Sequence, residues 1–387
     1  MAGIPNQPRD RRAEAIDRID DGIFDVVVVG GGINGAVSAL ALAAHGLQVA
    51  LVERHDFGSG TSQESSCMVW GGFKYLESRD LKLVAGLCDS RNRLAGAYPT
   101  RLAEPRFMAA LDRGAPFPPW FAALGAVAYW GLGRRATQPP RHRSAATIER
   151  LEPSVDTSMV RGGIEYSDYL LVDNDARFVS ELAIGSTRYG ATIANRVEVL
   201  DADQGVNGWR IAMRDRVDGR DLEATARMVV NAGGPDVPVV GELLGSRTEN
   251  RLVFSKGIHL VVPRITDSGR ILAFFDDDER LFYVLPMGER SVIGTTDTQV
   301  DDPQVSVTAE DRTFLLEQIN ARIDRGTPLT DADVIAERCG VRALVVPPGG
   351  SAEGRDWTEL SREHAVEVDA TLGVVSVLGG KLSDCLN

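Results

Sequence analysis

Val26–Val29 is an unbroken β-branched run that stops at Gly30, Gly31 and Gly32 and resumes, through Gly35, as an Ala- and Leu-rich stretch with helical spacing. A run that is apolar on both faces is the pattern of a central strand in a parallel sheet. The stretch that follows, GAVSALALAAHG, predicts a helix whose small residues face that strand and whose end is set by Gly46. The next apolar run, QVALVER, predicts a second strand, so that Asp25 to Arg54 is one βαβ unit.

Beyond it the pattern loosens. Residues 57–73 are rich in Gly, Ser and Thr and predict an irregular loop. A helix is expected at 79–97, then a Pro-rich, aromatic region to about 145. DNDARFVSELAIGSTRYGATI reads as helix, glycine turn and strand, and RMVVNAGG as a buried strand ending in glycines. Residues 250–300 alternate as antiparallel sheet does (RLVFSKGIHLVVPR, LFYVLP, SVIGTTD). SVTAEDRTFLLEQINARI predicts a helix with Thr308 as N-cap and acids in its first turn. RALVVPP and VVSVLGG predict two more strands. The expected class is α/β: a Rossmann-type domain with a mixed parallel sheet, interleaved with an antiparallel-sheet substrate domain. The first is expected over 22–95, 160–240 and 335–387, the second over 96–159 and 241–334, with 1–21 a polar N-terminal extension.

Charge and cysteine usage narrow the function. The formal net charge of −13 argues against general nucleic-acid binding, which needs a positive field. An anionic substrate would need a local cationic pocket. Cys67, Cys88, Cys339 and Cys385 are scattered without a CxxC pair. That pattern gives neither a zinc site nor a disulfide framework, and it fits a reducing compartment such as the cytoplasm. Residues 1–20 contain no apolar core of the signal-peptide kind and are expected to form a frayed helix. Ala115–Leu132 is nearly free of charge, but its prolines and glycines argue against a membrane-spanning helix. Burial within a cap domain is the expected role. Its Trp120, Phe121, Tyr129 and Trp130, followed by Arg134 and Arg135, also suit a membrane interface, which leaves peripheral membrane contact open.

Gly30, Gly32 and Gly35 match G-x-G-x-x-G, where the first glycine allows the tight turn, the second admits phosphate and the third lets helix and strand pack. The helix N-terminus supplies N–H groups and positive dipole to a pyrophosphate. Glu53, 23 residues after Gly30, ends the second strand where a carboxylate can take the ribose hydroxyls. Thr61, Ser62 and Ser66 then lie in a polar loop followed by Gly71 and Gly72, an arrangement suited to an extended, resident cofactor.

Together DVVVVGGGINGA, GTSQESSCMVWGGFKYLE, EYSDYLLVDNDARFV, VVNAGGPDV, KGIHLVVPR, VLPMGERSVIGTTDT, CGVRALV, ELSREH and VSVLGGKLS resemble, in order, segments of the FAD-dependent glycerol-3-phosphate dehydrogenases of the D-amino-acid-oxidase-like superfamily. The resemblance implies tightly held FAD and oxidation of sn-glycerol 3-phosphate, with electrons passed to a quinone or another acceptor at the inner face of the membrane. It implies FAD contacts from Gly30, Gly32, Asn34, Gly35, Glu53, Thr61, Ser62, Ser66, Ala232, Gly233, Gly380, Lys381 and Leu382. It places Lys74, Tyr75, Arg362 and Lys381 at the substrate, with His259 as the base and Arg342 steadying the oxyanion. The chain departs from the family at Trp70-Gly71-Gly72, where His-Gly-Gly is usual, and at Lys74, where Arg is usual; a lysine cannot repeat a guanidinium fork. It also has Lys381-Leu382-Ser383-Asp384-Cys385 in place of Lys-Leu-Thr-Thr-Tyr, and the family's C-terminal helical domain is not expected before Asn387. An amine or 2-hydroxy-acid oxidase of the same superfamily, or a truncated non-catalytic flavoprotein, are the alternatives. Oligomeric state, a homodimer included, stays open.

Overall fold

A computed structural model of the chain describes residues 11–76, 80–113, 115–206, 208–276, 280–349 and 364–386. They form two compact units. One comprises Met1–Gln63, Asn174–Val253 and Ala343–Lys381; the other comprises Glu64–Asp173, Phe254–Arg342 and Leu382–Asn387.

The first unit is a sheet ordered Val197–Gly205, Gly208–Asp215, Asp221–Asn231, Gly22–Val29, Val49–Glu53, Thr192–Asn195, with Val374–Gly379 also pairing with Asp221–Asn231. The strands around Gly22–Val29 are parallel, with Val26 opposite Val49 and Val27 opposite Val229. Parallel strands need cover on both faces, and Val27, Val28 and Leu51 are fully buried. Helix Ile33–Ala44 follows the first strand, carries Gly35, Ala36, Ala39 and Ala43 on its buried face and ends beside Gly46, whose φ is +86°. The N-terminal stretch is not the loose extension its polar composition suggests. Arg11–Ile19 is a helix that buries Ala15, Ile16 and Ile19, and Arg12 donates to Asp215 at 2.7 and 2.9 Å.

The second unit is a mostly antiparallel sheet ordered Thr298–Val300, Arg251–Pro263, Arg290–Gly294, Leu281–Met287, Ile271–Phe275, Arg106–Asp112, Val160–Ser167, Arg141–Arg143. Strand period two sends alternate residues to opposite faces, and both faces are packed. Phe107, Ala109, Ala273, Phe275, Tyr283 and Val261 join one core, while Met108, Ala110, Leu272, Phe274, Phe282 and Leu260 join the other. Helix Ala309–Asn320 covers the second face with Leu315, Leu316 and Ile319. It starts at the predicted Thr308, which forms a capping box with Asp311.

Residues 64–95 belong to this antiparallel unit, contrary to the expected boundary. Met68–Val69 pairs with Tyr169–Leu171, and helix Leu81–Ala97 sends Val84 and Cys88 into the first core. Residues 241–253 group instead with the parallel unit. The segment Ala115–Leu132 departs further from expectation. Pro119–Leu132 is a helix that buries only Ala122, Ala126 and Tyr129, leaving Trp120, Phe121, Leu124 and Val127 more than half exposed.

Candidate active site

In the parallel unit, Gly30 and Gly35 are required by close backbone approach. Gly30 has φ +105°, and a Cβ there would stand 2.5 Å from the Ala232 carbonyl oxygen. A Cβ on Gly35 would overlap the Gly30 carbonyl oxygen. Gly32, at the N-cap, has no side chain with which to cap the helix, and the first turn carries no acid. One first-turn amide, that of Ile33, donates to Ser62 Oγ at 3.0 Å. Glu53 accepts from the Gly31 amide at 2.6 Å and from the His55 amide at 2.7 Å. A carboxylate offers about four lone-pair sites, so acceptor capacity remains for a diol.

Ala232 and Gly233 sit at the end of the neighbouring strand. Asn231, which sequence reasoning passed over, shapes that turn: its Nδ2 donates to Val237 O at 2.8 Å and its Oδ1 accepts from Gly233 N at 3.3 Å. Asn34 Nδ2 donates to Gly379 O at 3.0 Å, which ties the glycine loop to the Gly379-Gly380 turn, where both residues have positive φ. An acid-free helix terminus, two glycines that tolerate no side chain and a carboxylate with spare acceptors fit a dinucleotide pyrophosphate and its ribose.

The antiparallel unit contains a different cluster. His259 lies in Arg251–Pro263, is fully buried, and shares a 2.9 Å hydrogen bond between Nε2 and Ser66 Oγ. Its Nδ1 is buried with no hydrogen-bond partner among the described residues. A Cβ on Gly294 would come 2.6 Å from the ring, so that glycine makes room for the imidazole. Burial, with help from nearby Arg342 and Arg338, drives the imidazole pKa down to about 3, so the ring is neutral.

Arg342 is held from several sides. Its Nη2 donates to Thr295 Oγ1 at 2.8 Å, and its Nη1 reaches Asp297 at 3.2 Å, Thr296 O at 3.3 Å and Ser255 Oγ at 3.4 Å. A Cβ on Gly257 would collide with the same guanidinium. The segment Lys256-Gly257-Ile258-His259 is thereby explained: the glycine admits Arg342, and Lys256 is ion-paired with Asp311 at 2.6 Å. Thr295, Thr296 and Asp297 were not singled out from sequence, although they form the quoted IGTTD segment.

Lys74 and Tyr75 occupy the short helix Phe73–Leu76. Phe73 anchors it by stacking on Tyr166 at 5.0 Å, and Tyr75 stacks with Trp70 at 6.3 Å. Gly71 has a structural cause: its amide donates to Tyr129 Oη at 2.7 Å, and a Cβ would strike Cys88. Tyr129 in turn donates to Asp168 at 2.8 Å, and Asp168 pairs with Arg91 at 2.5 Å, both charges being almost fully buried. The carboxylate of Asp384 is buried and takes the Ser90 hydroxyl at 2.8 Å. Of the sequence-derived set, Gly30, Gly32, Asn34, Gly35, Glu53, Thr61, Ser62, Ala232, Gly233, Gly380 and Lys381 fall in the parallel unit. Ser66, Lys74, Tyr75, His259, Arg342 and Leu382 fall in the antiparallel one. Arg362 lies outside the described residues.

The family described as FAD dependent oxidoreductase matches residues 25–380. Glycerol-3-phosphate dehydrogenase 2 of Mycobacterium bovis is 35% identical over 379 residues, covering 96% of this chain and 62% of that protein. Aerobic glycerol-3-phosphate dehydrogenase of Staphylococcus saprophyticus is 30% identical over 383 residues, covering 96% of this chain and 67% of that protein. Among solved structures, glycerol-3-phosphate dehydrogenase from Bacillus halodurans complexed with FAD superposes with a TM-score of 0.74 at 25% identity, over 97% of this chain and 64% of that one. The chain thus belongs to the FAD-dependent oxidoreductase family, with FAD as its cofactor. It spans 62% of the length of the mycobacterial relative.

Proposed function

We propose that this chain oxidises sn-glycerol 3-phosphate to dihydroxyacetone phosphate and passes the electrons to a quinone. The reading is carried by a neutral, buried imidazole flanked by Arg338 and Arg342 in a chain whose sequence relatives bear the glycerol-3-phosphate dehydrogenase name. A cationic surround within an acidic protein suits a phosphate ester.

FAD, when bound, accepts the hydride that leaves C2. Gly30, Gly32, Asn34, Gly35, Glu53, Thr61, Ser62, Ser66, Ala232, Gly233, Gly380, Lys381 and Leu382 would hold it. His259 takes the proton of the C2 hydroxyl. Its ring is uncharged over the working range and so offers a lone pair. A dianionic substrate nearby would raise the basicity that burial and the two arginines suppress. Arg342 faces the oxygen on which negative charge builds, and Asp297, Thr295 and Thr296 fix its orientation. By the resemblance, Lys74, Arg362 and Lys381 would bind the phosphate, and Tyr75 would also contact the substrate.

Reduction of a water-soluble dye or quinone analogue by purified protein tests this. Turnover with glycerol 3-phosphate and none with amino acids is expected. Turnover with an amino acid or a 2-hydroxy acid but not with the ester overturns it, and would favour the oxidase reading that the departures at Trp70 and Lys74 suggest.

A further inference from the structure

A buried polar chain in the antiparallel unit takes no part in the steps above. Arg91 pairs with Asp168 at 2.5 Å, Tyr129 Oη donates to Asp168 at 2.8 Å, and the same oxygen accepts from the Gly71 amide at 2.7 Å. Arg91, Asp168 and Tyr129 are each at most 2% exposed. A buried ion pair is weak evidence for stability, because apolar side chains of the same volume often serve as well or better. What this one supplies is direction. With its proton committed to the carboxylate, Tyr129 Oη has only lone pairs left, and these face the Gly71 amide and, at 3.3 Å, Arg91 Nη1. The charges behind it strengthen each bond of the chain.

The chain ends just before two residues that the resemblance places at the substrate. Cys88, one turn before Arg91 on helix Leu81–Ala97, reaches the Gly71 carbonyl at 3.8 Å, so side chains hold both polar groups of that peptide. Gly72 has φ +78°, and a Cβ there would stand 2.6 Å from Tyr75 and 2.9 Å from Leu87. The Tyr75 amide donates back to Gly72 O at 2.9 Å. Phe73 meets the Tyr129 ring edge-on at 5.3 Å. Tyr129 therefore grips the segment twice, by its hydroxyl at Gly71 and by its ring at Phe73. Lys74 and Tyr75 come next, and both are only partly buried.

We infer that Arg91, Asp168 and Tyr129 are positioning residues for substrate recognition, fixing the Gly71–Phe73 backbone and through it the reach of the Lys74 ammonium. The inference rests on the glycerol 3-phosphate reading above, in which Lys74 meets the phosphate. A lysine offers a point charge on a flexible four-carbon stem, so its grip on an anion depends on where its backbone is held.

KM and kcat for sn-glycerol 3-phosphate are measured for the parent, Tyr129→Phe, Lys74→Ala and the double variant, with flavin content and melting temperature. Tyr129→Phe keeps the ring against Phe73 and removes the acceptor; it should raise KM about tenfold and leave kcat within about twofold. In the Lys74→Ala background the same change should raise KM less than about twofold, because the group it places is gone. Ile148→Val, in the core on the other face of the sheet, controls for lost stability: its melting temperature should fall and its KM stay put. An unchanged KM in Tyr129→Phe, an equal factor in both backgrounds, or a loss confined to flavin content or melting temperature overturns the inference. A parent that turns over an amino acid or a 2-hydroxy acid and not the ester sinks the function. Titration with dihydroxyacetone phosphate, followed in the flavin bands, then decides positioning by whether Tyr129→Phe weakens binding only while Lys74 is present. A parent that neither turns over the ester nor binds this ketone overturns both.

Discussion

The glycine cradle and the imidazole–guanidinium cluster solve the problem of holding a charged ligand in opposite ways. The cradle is backbone: carbonyls and amides close enough that Gly30 and Gly35 tolerate no side chain, with Glu53 and Ser62 as its polar accents. Its three motif glycines and its acid come from one contiguous βαβ unit. The cluster is side chain: His259, Ser66, Arg342 and Asp297 arrive from separate strands and loops, and two further glycines, Gly257 and Gly294, make room for them. Backbone sites are rigid and broken by adding atoms; side-chain sites are broken by removing or changing them.

The largest effect should come from Gly35→Ala, because the new methyl overlaps the Gly30 carbonyl. Purified protein is expected to be colourless or insoluble; a yellow, normally stable variant would break the backbone half of the contrast. Asp168→Asn comes next. It strands Arg91, almost fully buried, and should cost about 3–5 kcal/mol by denaturant unfolding. Arg342→Lys should then lower kcat/KM about 10²-fold with little change in flavin content, since a point charge cannot replace the fork that meets Thr295, Thr296 and Asp297.

His259 gives a pH signature. Its folded pKa lies near 3, below the ordinary value of 6.5, so the unfolded chain binds the extra proton between those limits. Stability is thus lost as pH falls below about 6.5, with a slope of about 1.4 kcal/mol per pH unit from this group. His259→Gln should flatten that limb in thermal melts at a series of pH values; an unchanged slope would show that the ring is not the buried neutral group described. The smallest effect is the sharpest control. Gly185 in helix Asp175–Ser186 has open space where a Cβ would go. Gly185→Ala should therefore stabilise the protein by about 0.5–1 kcal/mol and leave the flavin untouched.

The two regions also differ in how far the sequence reveals them. The cradle is legible because its signal is local: a β-branched run, glycines at fixed spacing and an acid one strand later. The strand around His259 is legible from its alternation. The reason for Gly257 is not, since the guanidinium it admits comes from Arg342, far along the chain. Likewise, nothing local in Trp70-Gly71-Gly72 reveals that Tyr129 takes the Gly71 amide. Polar composition made the N-terminal helix read as frayed, though Ile16 and Ile19 are spaced to share the face that it buries. Apolar composition misled in the opposite sense at Pro119–Leu132, where Ala122, Ala126 and Tyr129 fill the buried side and Trp120 and Phe121 stay outside.

Anaerobic titration of the purified protein with sn-glycerol 3-phosphate, following the visible flavin bands, tests the central reading most directly. Stoichiometric bleaching, much weakened in Arg342→Lys, is the predicted result. A flavin that stays oxidised with this ester, or is bleached by an amino acid in its place, would contradict it.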